Sequence, residues 1–426
     1  MSEVAQVPHS SPDGNIPQLR FPEFGKRWDK ETIGGISKIF GRIGYRGYTV
    51  QDIVSKGEGA IALSPSNFIN NQINTIKSTY ISWFKYEESP EIKILDGDIL
   101  FVKTGSTYGK TAFVSNIKEK ATINPQIVVL KNISISNKFL GYIVTTQTIK
   151  KQIEQIVVGG AIPTMSQKEL SKMEFSLPAK PEQQKIAAFL TAVDSKIEQL
   201  SKKKALLGEY KKGLMQQIFS QAIRFKADDG SDFPDWEEKK LGGVVDNVGG
   251  TALEKYTNPK ETHKFISIGN YGVDGKYIDN GQRVELNNKT KTKLLDKDNL
   301  VMVLNDKTAA GNIVGSTILI DESDSYIYNQ RSERLICKSE LFPIFAWHYL
   351  NSKIFRKSVY SISQGGTQIY VNFPSVKELN FSLPSLLEQT KIANFLSSID
   401  TKIEQVGKQL DESKQFKKAL LQQMFV

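Results

Sequence analysis

Hydrophobic positions form a heptad seam that occurs twice in this chain of 426 residues. In each copy, apolar side chains step alternately by four and three positions over about five heptads, which is typical of a coiled-coil helix. Pro181 suits a first helical turn, so the pattern predicts long helices over 179–222 and 385–426. The apolar seam positions are Ile186, Leu190, Val193, Ile197, Leu200 and Leu207 in the first copy, and Ile392, Leu396, Ile399, Ile403, Val406 and Leu410 in the second.

Polar side chains interrupt both seams, at Lys204 and Lys211 in the first and at Ser413 and Lys417 in the second. Such breaks favour control of register over maximal stability. A buried core helix can show a similar stripe, but the length, the strict spacing and the duplication favour a coiled coil. The simplest arrangement pairs the two seams within one chain. Antiparallel pairing would relate the halves by a pseudo-twofold axis and offer two similar faces to two copies of one partner.

The seams belong to a longer internal repeat. Residues 175–219 align with 381–425 at a constant offset of 206 without a gap, and 23 of the 45 positions are identical. Each half also opens alike, with RWDKETIGGI at 27–36 and DWEEKKLGGV at 235–244. The chain is therefore a tandem pair of units. The predicted segments are a disordered polar tail at 1–15, a globular portion at 16–178, a long helix at 179–222, a second globular portion at 223–384 and a second long helix at 385–426.

Short apolar runs predict strands in both globular portions, followed in each by a helix, at 137–157 and from about 342 to 359. The predicted class is α+β, with two mixed globular portions separated by two long helices that form an antiparallel coiled coil in a pseudo-twofold tandem repeat. The globular sequences diverge far more than the helices do. We therefore expect the two portions to recognise different targets.

The charge balance is +10, with 56 Lys and Arg against 46 Asp and Glu. Such an excess favours a polyanionic partner, although solubilising charge would have the same effect. Residues 1–180 carry +6 and residues 181–225 carry +4, whereas residues 226–384 carry −1. An anion site in the second globular portion must therefore be a local cluster, and the basic stretch that begins at Arg331 is a candidate.

Few side chains in this sequence could bind a metal ion or form a disulfide. The single cysteine, Cys337, cannot close an intrachain bridge, and His9, His263 and His348 lie far apart in sequence. No stretch approaches the roughly 18 to 20 apolar residues of a membrane span. We therefore expect a cytoplasmic protein with no metal site and no membrane partner.

Arginine and tyrosine alternate with glycine at 40–49, which gives the first set of candidate nucleic-acid contacts. Arginine can bind phosphate or guanine edges, and tyrosine can stack on bases. An ordinary glycine-rich hairpin remains the alternative. Matching loops before the two long helices, at 159–164 and 365–370, supply further candidates. The candidates are Arg42, Tyr45, Arg46, Tyr48, Thr164, Arg331, Gln368 and Tyr370.

Three stretches contain residue types of known catalytic motifs but lack the complete motif or its spacing. TGSTYGKT at 104–111 lacks the residue count of a phosphate-binding loop, and the residues after it predict a strand. Asn124-Pro125-Gln126 lacks the second proline and the aromatic residue of an adenine methyltransferase motif, and residues 234–239 compress a nuclease motif into six positions. The sequence therefore predicts a chain without a catalytic centre.

The duplicated helix start resembles the specificity subunit of type I restriction-modification enzymes. The resemblance covers nearly the whole chain and depends on L-P-x-x-x-E-Q-x-K-I-A-x-F-L. The matching residues are Leu177, Pro178, Glu182, Gln183, Lys185, Ile186, Ala187, Phe189 and Leu190, and then Leu383, Pro384, Glu388, Gln389, Lys391, Ile392, Ala393, Phe395 and Leu396.

This resemblance implies that 16–178 and 223–384 are target-recognition domains. Each would read one half of a bipartite, asymmetric site in double-stranded DNA, while the helices set the spacer between the halves. It further implies that the helices dock two modification subunits, which methylate adenine with S-adenosylmethionine. Two ATP-dependent restriction subunits would complete the assembly. S-adenosylmethionine, ATP and Mg are expected on those partners, and no cofactor is expected on this chain.

The stretch D-I-L-F-x-K-x-G-x-x-x-G-K at 98–110 resembles a common segment of such domains. It implies DNA contacts at Lys103, Ser106, Tyr108 and Lys110. The second domain matches more loosely and gives Asn305 and Lys307 as the corresponding candidates.

Two alternatives remain at the level of sequence. One is a coiled-coil adaptor or scaffold without a nucleic-acid role, which salt-dependent DNA binding would distinguish. The other is a self-sufficient DNA-modifying enzyme, which methyl transfer by the purified chain would establish.

Overall fold

The computed structural model describes residues 5, 6, 16–156 and 163–426, and for residues 5 and 6 only the backbone. Most of the tail predicted at 1–15, and Gly159 and Gly160 of the loop before the first long helix, therefore lie outside the described residues. The chain forms two compact units. Unit 1 comprises Met1–Gln199 with Gln409–Val426, and unit 2 comprises Leu200–Lys408.

Unit 1 contains short strands and short helices. Its strands are β1 (Ala5–Gln6), β2 (Leu19–Arg20), β3 (Asp29–Thr32), β4 (Lys38–Gly41), β5 (Ile53–Val54), β6 (Gly59–Leu63), β7 (Phe68–Ile69), β8 (Gln72–Ile73), β9 (Thr79–Ser82), β10 (Ile99–Val102), β11 (Thr111–Phe113), β12 (Ala121–Ile123), β13 (Ile127–Lys131) and β14 (Glu174–Leu177). Its helices are α1 (Ile33–Ile36), α2 (Trp83–Glu87), α3 (Asn137–Ile143), α4 (Gln147–Ile156) and α5 (Gln167–Ser171).

The core of unit 1 lies on both faces of a six-stranded sheet of order β4-β13-β10-β11-β8-β7. Ile99 and Phe101 of β10 pack with α3, α4 and the long helices, whereas Leu100 and Val102 pack towards the second sheet, of order β12-β6-β9-β5. Successive side chains of a strand point to opposite faces, so a strand covered on both sides must be apolar throughout. This requirement explains the uninterrupted run of apolar residues in β10.

Both predicted long helices are confirmed, as α6 (Lys180–Phe219) and α11 (Leu386–Gln423). They are slightly shorter than the predicted ranges 179–222 and 385–426. Each of the twelve apolar seam positions is buried or half-buried, and none is exposed. Burial of one continuous stripe is what the heptad pattern requires.

Unit 2 repeats this plan with fewer strands. They are β15 (Glu237–Lys240), β16 (Val245–Gly249), β17 (His263–Ile266), β18 (Arg283–Val284), β19 (Leu300–Val303), β20 (Asn305–Asp306), β21 (Thr317–Leu319), β22 (Tyr326–Tyr328), β23 (Ser332–Cys337), β24 (Ile369–Tyr370) and β25 (Asn380–Leu383). Its short helices are α7 (Leu241–Val244), α8 (Pro343–Leu350), α9 (Lys353–Ser361) and α10 (Phe373–Lys377).

The sheets of unit 2 correspond to those of unit 1. The order β16-β23-β19-β21 matches β4-β13-β10-β11, and β18-β17-β22 matches β9-β6-β12. In both units the entry strand pairs antiparallel with the exit strand, β3 with β14 and β15 with β25. The duplicated opening and closing sequences are therefore neighbouring strands at the start of a long helix. The predicted fold class, a tandem repeat of mixed domains with two long helices, is confirmed.

Segments of α6 and α11 run antiparallel in unit 2. Lys211 Nζ lies 2.6 Å from Asp400 Oδ2, and the ammonium of Lys204 lies beside Gly407. From Lys204 to Lys211 the residue numbers rise along α6, while those of the contacted residues fall along α11 from Gly407 to Asp400. In unit 1 the side chain of Lys417 likewise meets Asp194, at 2.6 Å.

The helix predicted at 137–157 is divided into α3 and α4, and the one predicted from about 342 is divided into α8 and α9. In unit 2, the Ser352 hydroxyl accepts a hydrogen bond from Phe355 N and starts a new helix. Serine at such a position competes with helix continuation, which the apolar pattern does not register.

Candidate nucleic-acid interface

Three loops of unit 1 emerge at one edge of its main sheet. β10 ends at Val102, opposite Ile127 at the start of β13, and β4 ends at Gly41, opposite Val128. Because β13 runs antiparallel to both neighbours, the loops after β4 and β10 and the turn before β13 share this edge. We call it the first loop edge.

A fourth segment joins the first loop edge from far along the sequence. Met165 N donates to Lys103 O at 2.8 Å, and the hydroxyls of Thr104 and Thr164 lie 2.8 Å apart. The structure thus brings together two predicted contact regions, 103–110 and Thr164, that the sequence treats separately.

Exposed polar and aromatic side chains project from the first loop edge. Tyr45 is 80% exposed, and the Arg46 guanidinium lies 5.5 Å from the centre of its ring. Ser106 and Lys110 are exposed and Lys103 is half-buried. An arginine stacked on an exposed tyrosine can offer both charge and a flat surface to a nucleic acid.

The sequence interpretation supposed that Arg42 and Tyr48 both face solvent, but Arg42 is buried and Tyr48 is half-buried. Arg42 is 5% exposed, and its guanidinium donates to Ile123 O at 3.0 Å and to Thr122 Oγ1 at 3.1 Å. It also lies 5.5 Å from the centre of the Tyr48 ring. Burial raises the pKa of Tyr48 and lowers the pKa of Arg42. Arg42 therefore holds the loop onto β12, which corrects its assignment as a DNA contact. Tyr48 packs beside it, and its role as a DNA contact stays a prediction.

Tyr108 also points inwards. Its ring packs against the core of unit 1, and its hydroxyl is buried without a hydrogen-bond partner among the described residues. Burial raises its pKa. Tyr108 therefore fixes the loop after β10 and does not present a free hydroxyl at the edge.

Gln126 is an exposed residue of the first loop edge that the sequence analysis missed. Gln126 N donates to Asn124 Oδ1 at 3.0 Å, and Asn124 Nδ2 donates to Gln126 Oε1 at 3.0 Å. This turn separates β12 from β13, which belong to different sheets. Asn-Pro-Gln between two apolar runs is the sequence signal of that turn.

The same topology builds a second loop edge in unit 2. β16 ends at Gly249, opposite Glu333, and Val303 at the end of β19 lies opposite Ser332. β20 pairs antiparallel with β24, so that Asn305 lies opposite Tyr370.

Side chains at equivalent places of the two edges differ in chemistry. Arg331 N donates to Asn329 Oδ1 at 3.1 Å, just as Gln126 N donates to Asn124 Oδ1 in unit 1. Arg331 therefore occupies the place of Gln126 in the equivalent turn. Tyr370 stands where unit 1 has Thr164. Tyr370 is partly exposed and its hydroxyl donates to Gln364 Oε1 at 3.0 Å, whereas Arg331 is half-buried.

Strand register also settles which residues of the two edges correspond. Ile99 and Leu300 both pair with the central strand, opposite Leu130 and Leu335. Counting forward from them places Leu304 where unit 1 has Lys103, so Lys103 has no lysine counterpart. Lys307 and Gln368 are exposed.

The duplicated Glu of each helix start forms an ion pair with an arginine near the beginning of its domain. The Glu182 carboxylate accepts two hydrogen bonds from Arg20, at 2.7 and 2.8 Å. The Glu388 carboxylate accepts two from Arg224, at 2.9 and 3.0 Å, and one from Trp236 Nε1 at 3.0 Å. Bidentate pairs of this kind fix geometry as well as charge.

The neighbouring glutamines attach each domain to the same helix start. Gln183 Nε2 donates to Pro178 O at 2.8 Å, and its Oε1 accepts from Ser136 N at 3.1 Å. In unit 2, Gln389 Nε2 donates to Pro384 O at 2.9 Å, and its Oε1 accepts from Phe342 N at 2.7 Å. The Glu-Gln pair is therefore a structural junction and not a reactive site.

The polar seam residues form a second junction in each unit. In unit 1, Asp194 binds Lys417 at 2.6 Å and accepts a hydrogen bond from the Tyr142 hydroxyl at 2.8 Å. We call these residues the Asp194 cluster. Burial raises the pKa of Tyr142, so that its hydroxyl stays protonated.

Unit 2 has the corresponding Asp400 cluster, in which Lys211 Nζ lies 2.6 Å from Asp400 Oδ2. His348 replaces the tyrosine, with Nε2 at 4.0 Å from Asp400 Oδ2, and Lys276 Nζ lies 3.9 Å from Oδ1. Burial, and then the charges of the two lysines, lower the pKa of His348 well below its ordinary value. His348 is therefore neutral at neutral pH.

Neither a metal cluster nor a membrane span emerges from the part of the chain that the structure describes. Across residues 16–156 and 163–426 no group of three or more His, Cys, Asp or Glu side chains is placed to hold a metal ion. None of the helices formed there is both long and apolar enough to cross a membrane.

Sequence comparison relates both halves of the chain to one family. The family model for the type I restriction modification DNA specificity domain matches residues 26–208 and again 234–412. The type I restriction enzyme MjaVIII specificity subunit of Methanocaldococcus jannaschii is 28% identical over 342 residues, which cover 78% of this chain and 79% of that protein. The putative MjaX specificity subunit of the same organism is 23% identical over 367 residues, which are 83% of each chain.

Solved structures share the fold. The S subunit of a type I restriction-modification system from M. genitalium aligns with a TM-score of 0.57 at 17% identity and covers 96% of this chain and 99% of its own. A structure from work on complex assembly and conformational transition of the type I R-M system aligns with a TM-score of 0.52 at 16% identity, over 92% and 96% of the chains. The repeated family match, which spans most of both units, shows that this chain belongs to the family of type I restriction-modification DNA specificity subunits.

Proposed function

We propose that this chain supplies the DNA sequence specificity of a type I restriction-modification complex, and that each loop edge reads one half of a bipartite, asymmetric site in double-stranded DNA. This proposal is supported by one observation above all: the two units share a sheet topology, but their loop edges carry different side chains. Tyr45 and Ser106 are exposed at the edge of unit 1, whereas Lys307 and Gln368 are exposed at the edge of unit 2. Domains that read different base sequences need a common frame and different contact residues.

The proposed contacts divide between the units. In unit 1 they are Tyr45, Arg46, Lys103, Ser106, Lys110, Gln126 and Thr164. In unit 2 they are Asn305, Lys307, Arg331, Gln368 and Tyr370. Arginine and lysine would supply phosphate contacts and guanine readout, and glutamine and asparagine would suit adenine.

The long helices are proposed to dock two modification subunits, and two restriction subunits would complete the complex. Tyr210 of α6 and Phe416 of α11 occupy equivalent repeat positions, and both side chains are exposed despite their apolar rings. Exposed aromatic side chains on a helix favour a protein partner. S-adenosylmethionine, ATP and Mg would bind to those partner subunits, with this chain contributing no catalytic group. A self-sufficient modifying enzyme and an adaptor without a DNA role are less favoured, because the family match is to a DNA specificity domain.

DNA binding by the chain assembled with its modification subunits tests the reading role. Affinity for a duplex that carries the recognised site should fall steeply with salt, while a preference over unrelated duplex persists. Arg46→Ala with Lys110→Ala should weaken binding, whereas Lys118→Ala, at an exposed position before β12 and away from the first loop edge, should not. Equal affinity for every duplex sequence would refute the proposed function.

The helices are also proposed to set the spacer between half-sites. Residues 198–204 of α6 and 404–410 of α11 form one equivalent heptad in each helix. Deleting both should preserve the heptad phase and shorten each helix by about 10 Å, which is about three base pairs. We expect the recognised gap to shorten while both half-sites stay the same. A gap of unchanged length would show that the helices do not set it.

A further inference from the structure

The two loop edges differ in the length of one loop, which joins β10 to β11 in unit 1 and β19 to β21 in unit 2. Gly109 N donates to Val102 O at 2.9 Å, and Gly315 N donates to Val303 O at 2.8 Å, so both loops close in the same way. Both glycines have positive φ, 77° and 74°. Six residues lie between these anchors in unit 1, but eleven in unit 2. The extra length lies in Asp306–Val314.

A buried carboxylate organises the base of this longer loop. Asp306 is 5% exposed, and its Oδ1 accepts hydrogen bonds from the amide and the hydroxyl of Thr308, each at 2.8 Å. Its Oδ2 accepts from Ile313 N at 2.8 Å. Burial opposes ionisation of Asp306, but these hydrogen bonds and the charge of Arg356 outweigh it and lower the pKa. One ionised side chain therefore joins the two ends of the loop.

Arg356 of α9 supports the same loop from below. Its Nε donates to Val314 O at 2.9 Å, and one terminal nitrogen donates to Asn312 O at 2.8 Å. Burial lowers the pKa of Arg356 to about 10, which keeps it charged at neutral pH. The equivalent repeat position in unit 1 is Lys150, which is exposed. This support is therefore specific to unit 2.

A close approach at Gly311 fixes the top of the loop. Gly311 has a φ of 60°, and a Cβ built there would lie 2.6 Å from the ring of Tyr360. Any larger residue there would have to displace the Tyr360 ring or the loop backbone. The loop therefore packs directly against the Tyr360 ring at Gly311.

The side chains at the tip are small or polar. Lys307, Thr308 and Asn312 are exposed, with two alanines between them. Lysine can donate to guanine, asparagine can pair with adenine, and alanine can contact the methyl group of thymine. A narrow loop of small residues can enter the major groove, about 12 Å wide, without steric obstruction.

We propose that Lys307–Asn312 is the element of unit 2 that reads base edges of its half-site, and that Asp306 and Arg356 are positioning residues that hold it in shape. The proposal rests on the proposed DNA-reading function and names the residues that determine specificity in the second half-site. Unit 1 has a shorter loop at this place, so Lys103 and Ser106 would share the reading of its half-site with the other segments of the first loop edge.

The test uses the chain assembled with its modification subunits and a duplex library randomised in both half-sites. Lys307→Ala and Asn312→Ala are compared with Lys297→Ala, an exposed lysine near the other end of β19. Methylated duplexes are sequenced. Each loop variant should relax base preference by about 5-fold to 150-fold at one or two positions of one half-site, and leave the other half-site and the gap unchanged.

Arg356→Lys and Asp306→Asn test the positioning role, with exposed Lys357→Ala as the control on the same helix as Arg356. These variants should broaden the preference at the same positions as the loop variants do. Retained selectivity at the other half-site shows that the chain is still folded and assembled. A uniform loss at both half-sites would mean that the substitutions act only on stability, which would contradict the positioning role.

The outcomes separate this proposal from the broader function. If the unaltered complex methylates without sequence preference, the proposed function and the loop assignment both fail. If the unaltered complex is selective at both half-sites and the Lys307 and Asn312 variants remain equally selective, only the loop assignment is overturned.

Discussion

The Glu-Gln junctions that attach the domains to the starts of the long helices are alike in the two units, whereas the loop edges are not. Glu182 and Glu388 each bind an arginine through two hydrogen bonds. By contrast, Thr164 is matched by Tyr370, and the loop that closes at Gly109 is five residues shorter than the one that closes at Gly315. The residues retained in the repeat are those that fix a domain on its helix. The residues that differ are those that can meet a ligand.

The largest effect is expected from the buried arginine of unit 1. Arg20→Ala leaves Glu182 uncompensated, and both side chains are at most 5% exposed, so we expect a cost of about 3–5 kcal/mol. Arg224→Ala should cost less, about 1–3 kcal/mol, because Arg224 is 25% exposed and Trp236 still donates to Glu388. Hydrogen exchange of the entry and exit strands of each unit measures both values.

Lys212→Ala is the control for these arginines. Its pair with Glu209 is more than 70% exposed on both sides, and such pairs contribute little. Equal costs for Arg20→Ala and Arg224→Ala would contradict the difference in burial on which this prediction depends.

The ion pairs of the polar seam residues should show a smaller difference in stability between the units. Here the larger loss is expected in unit 2, whereas for the arginines it is expected in unit 1. Asp400→Asn removes the charge that faces both Lys211 and Lys276, and the Lys211 pair is about as buried as the Arg224 pair, so we expect a loss of about 2 kcal/mol in unit 2. Asp194 faces one lysine, Lys417, and about a quarter of each side chain is exposed. Asp194→Asn should therefore cost about 1 kcal/mol in unit 1. Urea unfolding monitored separately in each unit gives the two values, and a greater loss at Asp194 would disprove the ranking.

Much of this arrangement was predictable from the sequence, because a heptad period and a gapless repeat are local signals. The helices, their seam residues and the polar interruptions at Lys211 and Lys417 were all predicted from spacing. The loop edges were not, because strand register decides which loops meet. Arg42 has the same exposed-loop signature as Arg46, but a strand 80 residues away accepts its hydrogen bonds. Gln126 was missed because its turn was considered only as part of a catalytic motif.

The last difference concerns pH and separates His348 from Tyr142. The folded chain holds the pKa of His348 well below 6.5, whereas the unfolded chain does not. As the pH falls below about 6.5, the unfolded state binds a proton that the folded state does not, so unit 2 should lose up to about 1.4 kcal/mol per pH unit. Unit 1 should show no such loss, because Tyr142 stays neutral.

Hydrogen exchange of α8 and α3 between pH 7 and pH 5.5 checks this difference. Lys211, Lys276 and Asp400 face His348, so His348→Gln provides the control that retains those charges while removing the titrating group. The variant should abolish the pH dependence of unit 2. A persistent slope in the variant would assign the titration to another residue.

Mapping of methylated adenines across a bacterial genome tests the central claim most directly. The modification subunits would be expressed with this chain or without it, in cells that otherwise lack adenine methylation. We predict that one bipartite, asymmetric motif with a fixed gap becomes methylated only when the chain is present. Methylation that is unchanged by the chain, or that follows a single uninterrupted motif, would contradict a specificity subunit with two different reading edges.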